Sequence, residues 1–319
     1  MSESSRRVVA VVNGKGGVGK TTITANVGGM LAAGGARVLL IDLDPQGNLA
    51  EELGYAGTPV DDDGLALAQA LAFGTPVTPQ AGVRANLDVL VGGAQLDMAA
   101  AGLTMRSHKD PRGAKTALAD AVAGYVEDYD LVLVDCPPGQ ETLQQAALAA
   151  ARWALIPVKT DASSRKGLRD VARRLEAVVD INPDLDLLGV VLFGVNRAAR
   201  RVSDTARAAI TDDLGSPDVL FTTAIRHAEA AAQETRDRGL LAYELEEAVL
   251  AAPKWYERLR GAAAGQPAGG GEGPRSRSAT GLAEDFQALG EEIIARIAAH
   301  EATDEVAQAE PTTAAGRTR

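Results

Sequence analysis

Between Gly14 and Asp44 the 319-residue chain gathers two lysines, two aspartates and a run of glycines whose spacing suits phosphate chemistry. Gly14-Lys15-Gly16-Gly17-Val18-Gly19-Lys20-Thr21 satisfies G-x-x-x-x-G-K-[ST], the pattern of a phosphate-binding loop. The glycines let the backbone N–H groups of Gly16, Gly17, Val18, Gly19, Lys20, Thr21 and Thr22 converge on phosphate oxygens, and a helix N-terminus adds its dipole. Lys20 is placed to reach the β- and γ-phosphates, and the Thr21 hydroxyl to sit on Mg²⁺. One lysine already serves such a loop. The second, Lys15, is either a solvated charge or reaches another phosphate, including one held across a dimer interface. Asp42 and Asp44 follow in Asp42-Leu43-Asp44-Pro45-Gln46-Gly47-Asn48. This acidic pair could polarise a water for attack on the γ-phosphate or hold a hydrated Mg²⁺; the same spacing also suits capping or turn aspartates.

These groups need a scaffold, and the flanking sequence reads as one. Arg7–Val12 is a short apolar, β-branched run, Thr22–Leu31 is compatible with a helix, and Arg37–Ile41 reads as a buried strand. Strand, helix and strand at this spacing form a βαβ unit, so the sheet should be parallel and its active edge should lie beyond the strand C-termini. Tyr129–Gly139 adds four apolar residues that end in Asp135, then Cys136 and a proline–glycine turn. That is the shape of a strand whose aspartate holds Mg²⁺ through water. Further strands are expected at 87–91, 154–158, 187–193 and 216–222, and helices at 65–71, 115–125 and 163–179. Residues 51–80 read as a surface excursion. The expected fold is α/β, a mostly parallel central sheet flanked by helices.

Lys15–Thr22 together with the D-x-D-P-Q-G-N stretch resembles the deviant Walker A motif of the ParA/MinD superfamily, and within it the ParA-type chromosome and plasmid partition ATPases. The resemblance covers roughly 7–226 and 280–298. It implies an ATP- and Mg²⁺-dependent ATPase that closes as a homodimer around ATP, with Lys15 contacting the nucleotide of the partner subunit. It further implies that Asp44 orients the attacking water with support from Asp42, that Asp135 belongs to the Mg²⁺ site and the second switch, and that Asn196 recognises adenine. A carboxamide can donate to and accept from the adenine edge, although Asn196 could equally cap the next helix. Two departures stand out: Cys136 occupies a place where threonine often precedes the prolines, and Ala224-Ile225-Arg226 lacks the usual proline-rich form.

Composition sets limits on the rest. The apolar content of 46% suffices for a large core, and aromatics at 3% make that core aliphatic. One cysteine excludes an internal disulfide framework and fits a reducing cytosol. The net charge of −11 argues against a uniformly basic nucleic-acid coat, which makes two local basic stretches conspicuous. Arg165, Lys166, Arg169, Arg173 and Arg174 fall on one expected helix, and Arg197, Arg200 and Arg201 follow the 187–193 strand. They are either a solvated face or a sequence-independent contact to double-stranded DNA phosphates. ParA-type ATPases bind nucleoid DNA in this way as ATP dimers, and a ParB-like centromere-binding adaptor stimulates their hydrolysis. The resemblance thus implies a cytoplasmic, nucleoid-associated protein.

The domain reading is a flexible 1–6, an ATPase domain over 7–300 and a disordered tail over 301–319. Within the domain, 228–280 reads as a helical insertion ending in the Gly/Pro/Ser-rich linker Gln266–Ser278. Leu282, Phe286, Leu289, Ile293 and Ile297 recur at helical spacing. The opposite face is acidic rather than basic, so this helix should dock on the body, and no stable membrane contact is expected.

Overall fold

The computed structural model describes residues 7–251 and 278–309, with backbone alone at 162–167 and 304–309. Its centre is an eight-stranded sheet in the order β3-β4-β2-β5-β1-β6-β7-β8. The strands are β1 (Val8–Val11), β2 (Val38–Asp42), β3 (Gln80–Arg84), β4 (Leu87–Leu90), β5 (Leu131–Asp135), β6 (Trp153–Val158), β7 (Asp186–Val195) and β8 (Leu220–Arg226). All pairings are parallel except β3 with β4. Parallel strands are covered on both faces, which is why β1, β2, β5 and β6 are apolar almost throughout and wholly buried.

Alternate residues of β1 enter opposite cores: Val8 and Ala10 one, Val9 and Val11 the other. The first core is closed by α3 (Leu65–Phe73), α4 (Leu96–Ser107), α5 (Pro111–Val122), α6 (Glu141–Ala150), α7 (Ala162–Glu176) and α8 (Arg200–Leu214). The second is closed by α1 (Lys20–Ala33), α2 (Asn48–Glu52), α9 (Glu229–Arg238), α10 (Ala242–Ala251) and α11 (Ala279–Ala309). Leu282, Phe286, Leu289, Ile293 and Ile297 of α11 are all buried there, as their spacing requires. Burying one such side chain contributes roughly 1.5–3 kcal/mol.

Several local expectations are corrected. The helix expected at 65–71 is present as α3, but it is not part of a surface excursion, since its Leu67 and Leu71 are core residues. The last strand runs over Leu220–Arg226 and not over 216–222, because Ser216 accepts the Asp218 N–H and caps a short 3₁₀ turn at Pro217–Val219. Residues 229–251, at the head of the expected insertion, belong to the second core. The Ala242 N–H donates to Asn26 Oδ1 at 2.8 Å, and Arg84 ties Glu244 to the carbonyls of Leu53 and Gly239. Of the expected tail over 301–319, the described part continues α11 to Ala309, and Glu301 pairs with Arg7 at 2.8 Å. Nearly all of the Gln266–Ser278 linker, residues 1–6 and residues 310–319 lie outside the described residues.

Candidate functional site

β1, β2 and β5 end side by side, with Asp42 of β2 in register with Asp135 of β5. The glycine loop leaves β1 over these ends and delivers Lys20 as the first residue of α1. Asn13 braces the loop from beneath: its Nδ2 donates to Pro157 O at 2.8 Å, and its Oδ1 accepts the Lys15 N–H at 2.9 Å. Gly19 adopts φ 89°, and a Cβ there would run into the Phe193 ring, so both conformation and space demand glycine. Lys20 is only 6% exposed, and its Nζ donates to Lys15 O at 3.2 Å. Burial lowers its pKa, while the neighbouring Asp135 and Asp44 oppose that shift.

The three aspartates differ in what they already bind. Asp135 is fully buried and neither carboxylate oxygen has a hydrogen-bond partner. Burial pushes its pKa up to about 7, against the opposing pull of Thr21 and Lys20. Asp42 is also fully buried and is raised well above the usual carboxylate range, by burial and then by Asp135. Its two oxygens accept the N–H groups of Asp44 at 2.9 Å and Leu49 at 3.3 Å, so it shapes the turn that carries Asp44. Asp44 is 5% exposed and spends one oxygen on the Gln46 N–H at 3.0 Å. Two adjacent buried carboxylates repel each other in a low-dielectric setting. The donor set of Asp135 with the Thr21 hydroxyl therefore fits Mg²⁺, which takes one or two carboxylates together with phosphate oxygens.

The AAA domain family matches residues 6–187. The chromosome partitioning protein ParA of Caulobacter vibrioides (strain NA1000 / CB15N) is 35% identical over 239 residues, covering 72% of this chain and 85% of that one. The chain belongs to the ParA-type partition ATPases of the ParA/MinD superfamily. Among solved structures, cobyrinic acid a,c-diamide synthase from Mycobacterium smegmatis, with bound ADP and magnesium, is 30% identical. It covers 76% of this chain and 94% of its own, with a TM-score of 0.58. Cyanothece McdA in complex with ATP shares the fold at 20% identity and a TM-score of 0.65, covering 90% of this chain and 96% of its own.

The second lysine of a ParA-type loop, Lys15, is engaged within its own subunit. Its Nζ donates to both oxygens of Asp161, at 2.9 and 3.1 Å, just before α7. No sequence signal pointed to Asp161, because 146 residues separate the two. A second unforeseen acid is Glu52, which is buried, raised in pKa by that burial, and accepts the Thr22 hydroxyl at 2.9 Å. Cys136 is buried under the turn after β5 and burial pushes its thiol pKa up, which leaves it a packing residue. Asn196 is exposed at the end of β7, and its Oδ1 accepts the Ala198 N–H at 3.0 Å, a turn-forming bond.

The eight basic residues do not form one set. The side chains of Arg165 and Lys166 lie outside the described residues. Arg169 and Arg173 are 71% and 73% exposed but face Asp213 at 3.6 Å and Asp170 at 2.9 Å. Arg197 pairs with the buried Asp285 of α11 at 2.8 Å. Arg200 and Arg201, at the start of α8, are exposed and make no ion pair among the described residues. Arg174 leaves the group altogether. Its guanidinium is turned inward against Gly14, and Nη1 is buried without a hydrogen-bond partner.

Proposed function

We propose that the chain binds ATP with Mg²⁺, dimerises around it, holds double-stranded DNA without sequence preference, and hydrolyses ATP to ADP and phosphate when a ParB-like adaptor engages it. Its cargo on this reading is a chromosome or plasmid, and its place the nucleoid in the cytoplasm. The observation that carries the reading is the pairing, in one loop, of a buried Lys20 with a second, half-buried Lys15, beside a buried Asp44 that keeps one carboxylate oxygen unengaged. The ParA of Caulobacter vibrioides lends the partition role its support.

The residues divide the work. The loop N–H groups and Lys20 bind and neutralise the β- and γ-phosphates. Thr21 and Asp135, with Asp42 behind them, would hold Mg²⁺, which would supply further charge neutralisation on the phosphates. Asp44 orients the attacking water, since its carboxylate can accept a proton at the edge beyond β2. Lys15 leaves Asp161 and adds its charge to the partner's nucleotide, so each site is complete only in the dimer. Asn196 contacts the adenine edge. Arg200 and Arg201 lead the DNA contact, because theirs are the exposed charges of the basic run that no carboxylate among the described residues holds.

A membrane-bound variant of the scheme is disfavoured by α11, whose Leu282, Phe286, Leu289, Ile293 and Ile297 are spent in the core. No helix among the described residues is long and apolar enough to cross a membrane. The test is sedimentation or light scattering with a non-hydrolysable ATP analogue against ADP, on the wild type and on Lys15→Ala. Dimer with the analogue, monomer with ADP, and loss of the dimer in the variant are expected. A monomer under all conditions would refute the shared-site reading.

A further inference from the structure

α7 presents Arg173 and Arg174 in opposite senses, since adjacent helical residues do not share a face. Arg173 lies in solvent beside Asp170. Arg174 reaches back to the start of the glycine loop. A Cβ on Gly14 would stand 2.8 Å from Arg174 Nη1 and 3.1 Å from Nη2, so the guanidinium packs where only glycine leaves room. Nη1 is inaccessible to solvent and donates to nothing among the described residues. A buried charged donor with no acceptor is costly, and a native structure keeps one where something else supplies the acceptor.

The surroundings say which end of the loop this is. Gly19, at the far end, faces Phe193, three residues before Asn196 on the base side. Gly16 faces Pro138, in the turn that follows Asp135. The charge of Arg174 is felt at Cys136, immediately beside Asp135. Arg174 therefore stands at the Asp135 end, where Thr21, Asp44 and Lys20 also converge, and not at the base end. Asp161, the acid just before α7, holds Lys15. None of the described residues supplies the missing acceptor, and the anion that the loop is built to receive there is a terminal phosphate.

We propose that Arg174 is a third cation of the phosphate site, supplied in cis from α7, whose buried Nη1 takes a γ-phosphate oxygen of ATP as its acceptor. This rests on the ATP reading above and assigns the arginine away from DNA, where its position in the basic run would have put it. It gives the loop a way to tell ATP from ADP within one subunit, separate from Lys15, which acts across the dimer.

The test uses the full-length protein with Arg174→Met, which keeps bulk without charge, and Arg174→Lys. Affinities for a non-hydrolysable ATP analogue and for ADP are measured by calorimetry with Mg²⁺, and DNA affinity at saturating analogue. For Arg174→Met a loss of about tenfold or more is expected for the analogue, from removing a hydrogen bond to a charged group, and about twofold or less for ADP. Arg174→Lys should recover part of the loss, and DNA affinity at saturation should hold. Equal losses for both nucleotides, or no loss, would overturn the proposal and show a packing role. A drop in DNA affinity with unchanged nucleotide binding would overturn it in favour of the basic face. Failure of the wild type to bind ATP would overturn the underlying reading along with it, whereas failure in the variants alone leaves that reading standing.

Discussion

The edge of the sheet beyond β1, β2 and β5 and the pair of helices α7 and α8 are both rich in charge, and they handle it in opposite ways. At the sheet edge, Lys20, Asp42, Asp44 and Asp135 are buried within one small space, and neither carboxylate oxygen of Asp135 has a hydrogen-bond partner. On the helices, Arg169, Arg173, Arg200 and Arg201 are exposed, and two of those four are already held by aspartates. Burying charge is expensive, so a buried and incompletely satisfied cluster points to a ligand that completes it. Exposed charge costs little and can be a solvated face. The same number of charged residues therefore carries much more functional information in the first region than in the second.

The largest effect is expected at the buried cluster. Lys20→Ala should cost at least about a hundredfold in ATP turnover, the scale of removing one preorganised donor from a charged transition state. A turnover assay checks it, and near-normal activity would break the contrast at its strong end. Chelating Mg²⁺ with EDTA should abolish turnover, with recovery when Mg²⁺ is restored; activity in its absence would remove the role assigned to Asp135 and Thr21. Asp44→Ala should lower turnover by about a hundredfold or more, as for loss of a positioned base, while ATP binding measured by calorimetry stays near wild type. A parallel loss of binding would make Asp44 a structural residue.

Smaller effects are expected at the helices. Arg200→Glu with Arg201→Glu should weaken ATP-dependent DNA binding by about tenfold or more and reduce the salt slope by roughly two, one for each phosphate no longer neutralised. Arg173→Glu should weaken it by about threefold or less, because its charge is already committed to Asp170 and exposed pairs are weak. If Arg173 proved the stronger of the two sites, ion pairing would not be what sorts this face.

What could be read from the chain alone follows the same division. The phosphate loop, the D-x-D turn and Asp135 are each contiguous, and strand-end placement brings them together without any knowledge of packing. The partners that complete them are not contiguous. Asp161 meets Lys15 only because β6 lies next to β1, and Glu52 meets Thr22 only because α2 folds back on α1. Arg174 is misdirected by composition. A run of basic residues shares a helix without sharing a direction, and only the packing of α7 against the loop separates Arg173 from Arg174. The β3 strand, Gln-Ala-Gly-Val-Arg, escapes a sequence reading because an exposed antiparallel edge strand shows no clear apolar alternation. The 301–319 stretch reads as disordered because it has little apolar content, yet 301–309 continues a helix anchored by the buried Leu282, Phe286, Leu289, Ile293 and Ile297 and by Arg7.

On the proposed function the buried cluster controls the exposed face: ATP in the loop would turn α7 and α8 into a DNA-binding surface. The most direct measurement is DNA binding by the wild-type protein with ATP and with ADP, each across a salt series. The account predicts binding with ATP that weakens steeply as salt rises, and little binding with ADP at any salt. Equal binding with both nucleotides, or none with ATP at low salt, would contradict it.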